Sequence, residues 1–568
     1  MKHILNILII LSTCQISFGQ KIFLKIKGST EAENKIIDSL QYHQIHTNLS
    51  SIEKEILLTS KKLEKLGYLE NSLTELVKKN DSTYNAYYEL KKQTKYIHIY
   101  IGKNSPIKQF TEKTANQDTL ILKYPETIDF LNATTIKLEK LGYPKVSVYL
   151  ENIKAQNNIL FADLKTKLGL QRKINQIIIK HKEEEQQQKI FPSNHLAQIN
   201  KKFRNKVFNQ NSIHEIKSEF DKYSFIKQTK QPELLLSKDS TIIYVYLEKR
   251  KSNSFDGYIG ISNNDEKKTI LNGYLDIQLQ NILKKGEDFF IYWKSDGNDQ
   301  KTFRTGITLD YLLKTPIGIN AQLNIFKQDS TFQNSKTLID INYLIAHKTK
   351  IHIGIESTIS SDIQNSNNNI SDYKNRFITA GLVYQKKETE NLLFEEKTKL
   401  DFRIGIGNRN TSNLTNITKQ KQQFVNLNIT HNIIINPKNS INIRNQNFFL
   451  NSNNYLTNEL YRFGGLYSIR GFAENSLQGN YMSAILTEYR LLLKESLYIH
   501  SILDYAIFKD KSNSTILKKI NTISTLGIGI GMHTKKGFFK FSITNGSNSY
   551  NDINIFNSIV NLCYNVKF

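Results

Sequence analysis

The amino-acid sequence predicts an α+β N-terminal half followed by a transmembrane antiparallel β-barrel of about 16 strands. Three observations point there. Apolar and polar residues alternate with period two in segment after segment from Phe255 onward. Two N-terminal segments share the core Leu-Glu-Lys-Leu-Gly-Tyr, at 63–68 and 138–143. The 568 residues are only 39% hydrophobic, with a mean hydropathy of -0.44. That excludes a bundle of membrane helices but not a barrel, in which only alternate residues meet lipid. A net charge of +25 raises a nucleic-acid reading, yet 29 Tyr and 30 Phe mark a folded chain rather than a basic disordered one.

Residues 1–19 read as an export signal. Lys2 supplies a positive start, Ile4 to Leu11 an apolar stretch too short to span a bilayer, and Ser17-Phe18-Gly19 a small-x-small cleavage site. Leu11-Ser12-Thr13-Cys14 also resembles a lipoprotein box, although Thr fits poorly before the Cys. The only cysteines are Cys14 and Cys563, so a chain cut after Gly19 forms no internal disulfide. Export removes nucleic acid as a partner. The positive charge is then expected to face anionic headgroups or acidic clients.

Each shared six-residue core ends a helical pattern. In the first, Ser50 and Glu53 read as a capping box, and Ile52, Ile56, Leu63 and Leu66 fall on one face. Gly67 and Gly142 sit where a helix end needs a residue tolerant of positive φ. Strands follow, at Tyr96–Gly102 for the first repeat and Ile159–Leu164 for the second. In a third, weaker copy Ser212 and Glu215 cap a helix through Phe220 and Tyr223, then Phe225-Ile226 leads to a strand at Ile242–Leu247. The run Glu183–Gln188 reads as a solvated loop or helix end. A repeat of roughly 70 residues is too long for helical-hairpin solenoids. It fits a strand, two helices and two strands, and resembles the polypeptide-transport-associated (POTRA) domain. The resemblance implies modules at 20–103, 104–170 and 171–250.

The barrel is expected over 254–568. Leu271 to Leu279, Ile317 to Ile325, Leu400 to Ile406, Val425 to Ile429 and Phe539 to Ile543 alternate as strands. The Asn/Ser-rich stretches Ser361–Tyr373 and Asn408–Thr418 suit exposed loops. In the last strand Val560, Leu562, Tyr564, Val566 and Phe568 form the apolar face, with Cys563 in the polar phase. Its terminal aromatic resembles the C-terminal signal of bacterial outer-membrane barrels.

The most specific motif is Arg462-Phe463-Gly464-Gly465-Leu466-Tyr467-Ser468-Ile469-Arg470-Gly471-Phe472. It resembles the lumen-loop motif of the BamA/TamA-type outer-membrane assembly and translocation superfamily. Gly464, Gly465 and Gly471 suit tight turns in a confined space, and Arg470 offers a planar fork for carboxylates. The resemblance implies that the loop, with Ser468, Ile469 and Phe472, folds into the lumen and sets Arg470 against the inner wall. It also implies Asp504, in Leu503-Asp504-Tyr505-Ala506, as the partner, with Glu488, in Glu488-Tyr489-Arg490, the second candidate. Ala506 stands where Gly is common. Gly527 to Gly531 and Gly537-Phe538-Phe539 resemble the family's penultimate strands.

The resemblance implies a factor that assembles, inserts or translocates proteins at the bacterial outer membrane, with its N-terminal domains in the periplasm. POTRA strands would pair with extended clients by β-augmentation. A seam between the first strand, at about Phe255–Ile261, and the last would open laterally, with Gly257 and Gly260 loosening it. Implied partners are unfolded outer-membrane or secreted proteins, outer-membrane lipid, and periplasmic or lipoprotein accessory subunits. A two-partner-type secretion pore and a passive porin or receptor barrel are the alternatives. The chain carries no P-loop, G-x-S-x-G or H-E-x-x-H. His43 and His46 lack further ligands in sequence. No catalytic residue, cofactor or metal is therefore expected.

Overall fold

The computed structural model describes residues 21–567 apart from 104, 110–117, 182–189, 264–268, 296–299, 365–368, 388–392, 395, 414–415, 513–519, 535–536 and 549–557. The expected signal, the run Glu183–Gln188 and Phe568 lie outside the described residues. The chain divides into two compact units, one of residues 1–173 with 206–213 and one of 174–205 with 214–568.

The first unit holds two modules of one design. The first comprises β1 (Ile22–Gly28), α1 (Glu31–Ser39), β2 (Ile45–His46), α2 (Leu49–Lys65), β3 (Ser72–Asn80) and β4 (Thr83–Glu89). Its sheet order is β2-β1-β4-β3, with β1 parallel to β4. Leu24, Ile37, Ile52, Ile56, Leu63 and Tyr88 join sheet and helices in one buried core. The second module comprises β5 (Tyr96–Tyr100), a 3₁₀ turn at Pro106–Gln109, β6 (Thr119–Lys123), α3 (Thr127–Lys140), β7 (Ser147–Gln156) and β8 (Ile159–Lys167). Its order is β6-β5-β8-β7, with β5 parallel to β8.

Two local expectations are corrected. Tyr96–Tyr100, assigned by the repeat to the first module, is the leading strand of the second, because Ile97 and Ile99 bury in that core. The expected capping boxes are displaced upstream. Asn48 caps α2, accepting from the Ser51 amide at 2.9 Å, so Ser50 and Glu53 lie inside the helix. Asn209 likewise accepts from the Ser212 amide at 2.9 Å, one residue before α5 (Gln210–Asp221). Asn is as good an N-cap as Ser, and in both helices Ser occupies the third position and returns the bond.

The shared cores end their helices identically. Gly67 and Gly142 take φ of 98° and 97°. Tyr68 and Tyr143 amides reach back to the carbonyls of Leu63 and Leu138 at 3.0 and 3.2 Å, while Gly67 and Gly142 donate to Glu64 and Glu139 at 3.0 and 2.9 Å. This is a Schellman end. Gln93 and Gln171 then cap the Leu66 and Leu141 carbonyls at 2.9 and 2.8 Å, a repeated device the sequence did not advertise. A Cβ on Gly67 would lie 2.2 Å from the Thr94 carbonyl oxygen. Gly67→Ala is therefore expected to destabilise the first module by about 1–2 kcal/mol, combining strain with clash. Urea unfolding of an N-terminal fragment checks this against an exposed Lys65→Ala control; equal midpoints would refute it.

The second unit begins with the third module: β9 (Gln176–Lys180), α4 (Ser193–Phe203), α5, β10 (Ile226–Gln228), β11 (Glu233–Leu236) and β12 (Thr241–Lys249). Here too the first strand, β9, runs parallel to the last, β12. The sixteen barrel strands follow: β13 (Ser254–Asn263), β14 (Thr269–Gln280), β15 (Asp288–Ser295), β16 (Gln300–Leu309), β17 (Ile317–Gln328), β18 (Phe332–Ala346), β19 (Thr349–Asp362), β20 (Tyr373–Lys387), β21 (Glu396–Asn413), β22 (Asn416–Asn436) and β23 (Asn439–Asn451). After a lumen hairpin of β24 (Tyr461–Phe463) and β25 (Leu477–Gly479) come β26 (Tyr481–Lys494), β27 (Leu497–Lys509), β28 (Asn521–His533), β29 (Gly537–Asn548) and β30 (Ile559–Lys567). Each pairs antiparallel with the next, and β30 returns to β13.

Burial along the barrel is inverted relative to a soluble protein. In β18, Ile339, Ile341 and Tyr343 are 54–62% exposed, while Asp340 and Asn342 between them are 1% and 2% exposed. Asp340 is held inside by Arg403, with bonds of 2.9 and 2.8 Å. An apolar exterior around a polar interior is the solution for a sheet solvated by lipid, and closure brings the last strand back to the first. No helix among the described residues is long and apolar enough to cross a membrane.

Asn408–Thr418, expected as a loop, is instead mostly strand, with β21 and β22 paired out to Asn413 and Asn416. These strands exceed the roughly 9–11 residues that cross a bilayer. A strand longer than the bilayer needs no apolar face over its extra length. Ser361–Tyr373 does connect two strands, β19 and β20.

The third module meets the barrel turns through α4. His195, 2% exposed, faces the rings of Phe191, Tyr223 and Tyr311 at 6.3, 5.5 and 4.8 Å. Its Nδ1 lies 3.3 Å from the Tyr223 hydroxyl. A Cβ on Gly286 would touch Nε2 at 2.2 Å. Burial pushes the imidazole from 6.5 down to about 4, against the opposing pull of Asp310 and Asp288 and with the help of Lys348. The unfolded chain therefore binds a proton that the native state refuses between those values. The stability is complete above about pH 6.5 and falls as pH drops through 4, by about 3 kcal/mol at most. Proteolysis of the third module should be faster at about pH 5 than at neutrality in the wild type and less pH-dependent in His195→Phe. Equal rates at both pH values would contradict this.

Candidate functional site in the barrel lumen

The segment between β23 and β26 passes through the inside of the barrel. It enters by the turn Thr457–Glu459. There Asn458, 1% exposed, donates to Ser360 Oγ and the Ser371 carbonyl at 2.7 and 2.9 Å. Beside it Glu459 pairs with Arg409, and Gln422 donates to its other oxygen at 2.9 Å. A row of rings then links wall to loop to wall. Phe448 lies 4.6 Å from Tyr461, Tyr461 is 6.4 Å from Phe463, and Phe463 is 5.2 Å from Phe508.

The motif turns inside this frame. Gly464 and Gly465 take φ of 104° and 91°, so side chains there would be strained. The Gly465 amide reaches the carbonyls of Ile469 and Phe472 at 3.1 and 2.9 Å. Ser468 donates to Gln446 Oε1 at 3.0 Å. Ile469 is fully buried with Phe463, Leu486 and Ala506, and Phe472 packs against them. Gly471 is not in the positive-φ region. Its role is close approach, since a Cβ would meet Gly546 Cα at 2.7 Å and Thr525 Oγ1 at 2.7 Å on the wall.

That contact delivers Arg470 to a buried carboxylate pair. Its exposure is 1%, against 1% for Glu488 and 0% for Asp504. Its Nε and its backbone amide donate to Asp504 Oδ2 at 2.9 and 3.2 Å, and Nη2 pairs with Oδ1. Nη1 donates to Glu488 Oε1 at 2.5 Å, and Nη2 to the Thr487 carbonyl at 3.1 Å. Glu488 also holds Lys540 at 2.9 Å and Arg490 at 2.7 and 2.9 Å. Thr544 Oγ1 donates to the Arg470 carbonyl at 2.7 Å. Every polar atom of the guanidinium thus has an acceptor. Such a knot fixes where the loop sits.

The structure therefore brings Gly464, Gly465, Ser468, Ile469, Arg470, Gly471 and Phe472 together with Asp504 and Glu488. Lys540, Thr544, Thr525 and Gly546 were missed. They lie on strands whose alternation shows which residues point inward but not which loop residue each meets. Arg409 was missed too, although it shares the inward phase of Arg403. Leu503 and Tyr505 are 54% and 52% exposed around buried Asp504 and Ala506, so the acidic motif is a lipid-outside, charge-inside strand.

Val560, Leu562 and Tyr564 face outward at 60%, 61% and 39% exposure, with Val566 half-buried and Cys563 inward. Among the described residues, Ser254↔Lys567 and Phe255↔Val566 are the positions in register between β13 and β30. By contrast β29 and β30 share eight paired positions. Gly257 lies against β14, where a Cβ would come within 2.4 Å of the Tyr274 carbonyl oxygen, so its smallness serves that approach. Gly260 pairs with Asn272. His46 Nε2 donates to the His43 carbonyl at 2.8 Å, and no metal-holding cluster exists among the described residues.

Fold and lumen together define a transmembrane β-barrel with three N-terminal α/β modules and an internal loop pinned by a buried arginine. This is the fold that the BamA/TamA resemblance implied. No family model and no curated protein matches the chain. Among solved structures it is similar to BamA from Haemophilus ducreyi lacking POTRA domains 1–3, at 14% identity over 83% of this chain and 99% of that one, with a TM-score of 0.49. It is also similar to CdiB from Acinetobacter baumannii, at 12% identity over 84% and 90% with a TM-score of 0.49. CdiB from Escherichia coli matches at 12% identity over 91% and 97%, with a TM-score of 0.47.

Proposed function

We propose that this protein inserts or translocates polypeptides at the bacterial outer membrane, with its three modules in the periplasm. The observation that carries the reading is the lumen loop clamped through Arg470. A passive porin needs an open lumen, whereas here a loop is held inside it, at Glu459 by Arg409 of β21 and at Arg470 by Glu488 of β26 and Asp504 of β27. A barrel with an obstructed lumen and a two-position seam is suited to admitting strands sideways into lipid. The edge strands β2, β3, β6 and β7 offer unpaired backbone for extended clients. Clients are then unfolded outer-membrane or secreted proteins, with periplasmic or lipoprotein subunits as accessories. Secretion of one dedicated partner is the second reading, favoured if the loop swings out of the lumen. Depletion of the protein followed by outer-membrane proteomics tests both. Broad loss of barrel proteins supports assembly, loss of one secreted protein supports dedicated secretion, and an unchanged proteome and secretome refutes the proposal.

A further inference from the structure

Inside the barrel, between the lumen loop and strands from β16 to β23, lies a cavity of about 340 Å³, at the lower end of the roughly 300–1,000 Å³ that small-molecule sites span. Its ionic side chains balance. Glu356, Glu459 and Glu474 line it with Arg304, Lys336 and Arg462. Lys336 pairs with Glu356 at 2.5 Å, while Arg409 and Lys294, outside the lining, hold Glu459 and Glu474. The Arg304 guanidinium lies 4.3 Å from the Tyr292 ring and within electrostatic reach of Asp276. Arg462 faces the rings of Phe326 and Phe332 at 5.6 and 5.2 Å, within reach of Asp329 and Asp510. Neither sign is left in excess, so the charges give no reason for an ionic occupant.

The rest of the lining mixes rings with amides and hydroxyls. Phe326, Phe377, Phe424 and Phe448 supply rings, and Thr302, Asn324, Asn334, Thr358, Asn375 and Gln422 supply neutral polar groups. Three of these amides leave a buried carbonyl oxygen without a donor among the described residues: Asn324 Oδ1, Asn334 Oδ1 and Gln422 Oε1. A buried acceptor left unmet is costly, and hydroxyl groups are neutral donors that would meet it. An extended peptide fits poorly, because β17 to β23 are each paired on both sides and offer no backbone edge. We propose that this cavity binds a neutral saccharide, with its hydroxyls on the amides and its C–H face on the rings. The lining lies in the halves of these strands away from the turns at Leu312–Lys314 and His347, which meet the third module through Gln198 and Tyr223. With the modules in the periplasm, as proposed above, that half faces the cell exterior, where surface glycans are at hand.

The test uses the full chain in lauryldimethylamine oxide, a detergent without sugar. Saturation-transfer NMR reads its contact with maltose, lactose and N,N′-diacetylchitobiose. At least one disaccharide should receive saturation from the aromatic protons of the protein. Asn324→Leu should weaken that binding about tenfold, and Asn324→Leu/Asn334→Leu should abolish it. Asn324 Oδ1 has no bond to lose, so the single variant should keep the wild-type heat-modifiable migration, and it decides the matter where the double variant fails to fold. Transfer to none of the three sugars overturns the proposal, as does transfer unchanged in the variants. Equal transfer to glycerol would mark a merely hydrated cavity, and preference for gluconate or tetra-alanine would mark an anion or peptide site; each overturns it too. Displacement of the disaccharide by digalactosyldiacylglycerol in mixed micelles assigns the sugar to a membrane lipid, and no displacement assigns it to a free saccharide; either source upholds the proposal. The assay needs no bilayer and no client, so its failure leaves the insertion reading standing.

Discussion

Arg470→Ala is expected to destabilise the loop by about 3–5 kcal/mol, because it leaves Asp504 and part of Glu488 buried without a cation. The groups are 1%, 0% and 1% exposed, so water does not readily replace the lost bonds. Arg470→Lys should fall between, since an ammonium cannot reproduce the contacts from Nε, Nη1 and Nη2 at once. The charge swap Arg470→Asp with Asp504→Arg should restore only part of the loss. The Arg470 amide also bonds the Asp504 carboxylate, and that bond has no equivalent in the swap. Thermal unfolding in detergent, read as the temperature at which heat-modifiable migration is lost, gives the stability. Complementation of a depleted strain gives the function. Arg470→Ala matching wild type in both would remove the loop from any mechanism.

Locking the seam should have the second large effect. Phe255 and Val566 are register partners across β13 and β30, so Phe255→Cys/Val566→Cys in a Cys563→Ser background places two thiols opposite each other. Oxidation should abolish insertion or translocation, and reductant should restore it, because lateral opening must separate these positions. Two paired positions, each worth about 1 kcal/mol of net hydrogen bonding, form a small barrier beside the eight that join β29 to β30. A disulfide that forms and leaves activity intact would rule out opening at this seam. Either single cysteine serves as the control for the substitutions themselves.

The alternation of Ile339, Ile341 and Tyr343 with Asp340 and Asn342 was legible in the sequence because a strand's period is covalent geometry. So was the helix end at Gly67 and Gly142, where the chain needs a residue free of Cβ strain. Cap identity was less legible. Asn48 and Ser50 are both competent, and the choice depends on where the preceding loop delivers the backbone. The strand Tyr96–Tyr100 was misassigned because a strand's sequence does not say which sheet it joins. Asn408–Thr418 looked like a loop because beyond the lipid nothing demands an apolar face, although the backbone ladder continues.

By itself, the sequence determined the strand phase and the helix ends, and its motif, through the resemblance it carries, singled out Arg470 with Asp504 and Glu488 as its expected partners. The tertiary structure decided which groups surround that arginine, from Lys540 and Thr544 to the Gly471–Gly546 contact. It also decided that, among the described residues, two positions join β13 to β30. Local patterns are set by bonds between neighbours in the chain. These contacts join residues tens to hundreds of positions apart, and only closure of the barrel brings them within reach.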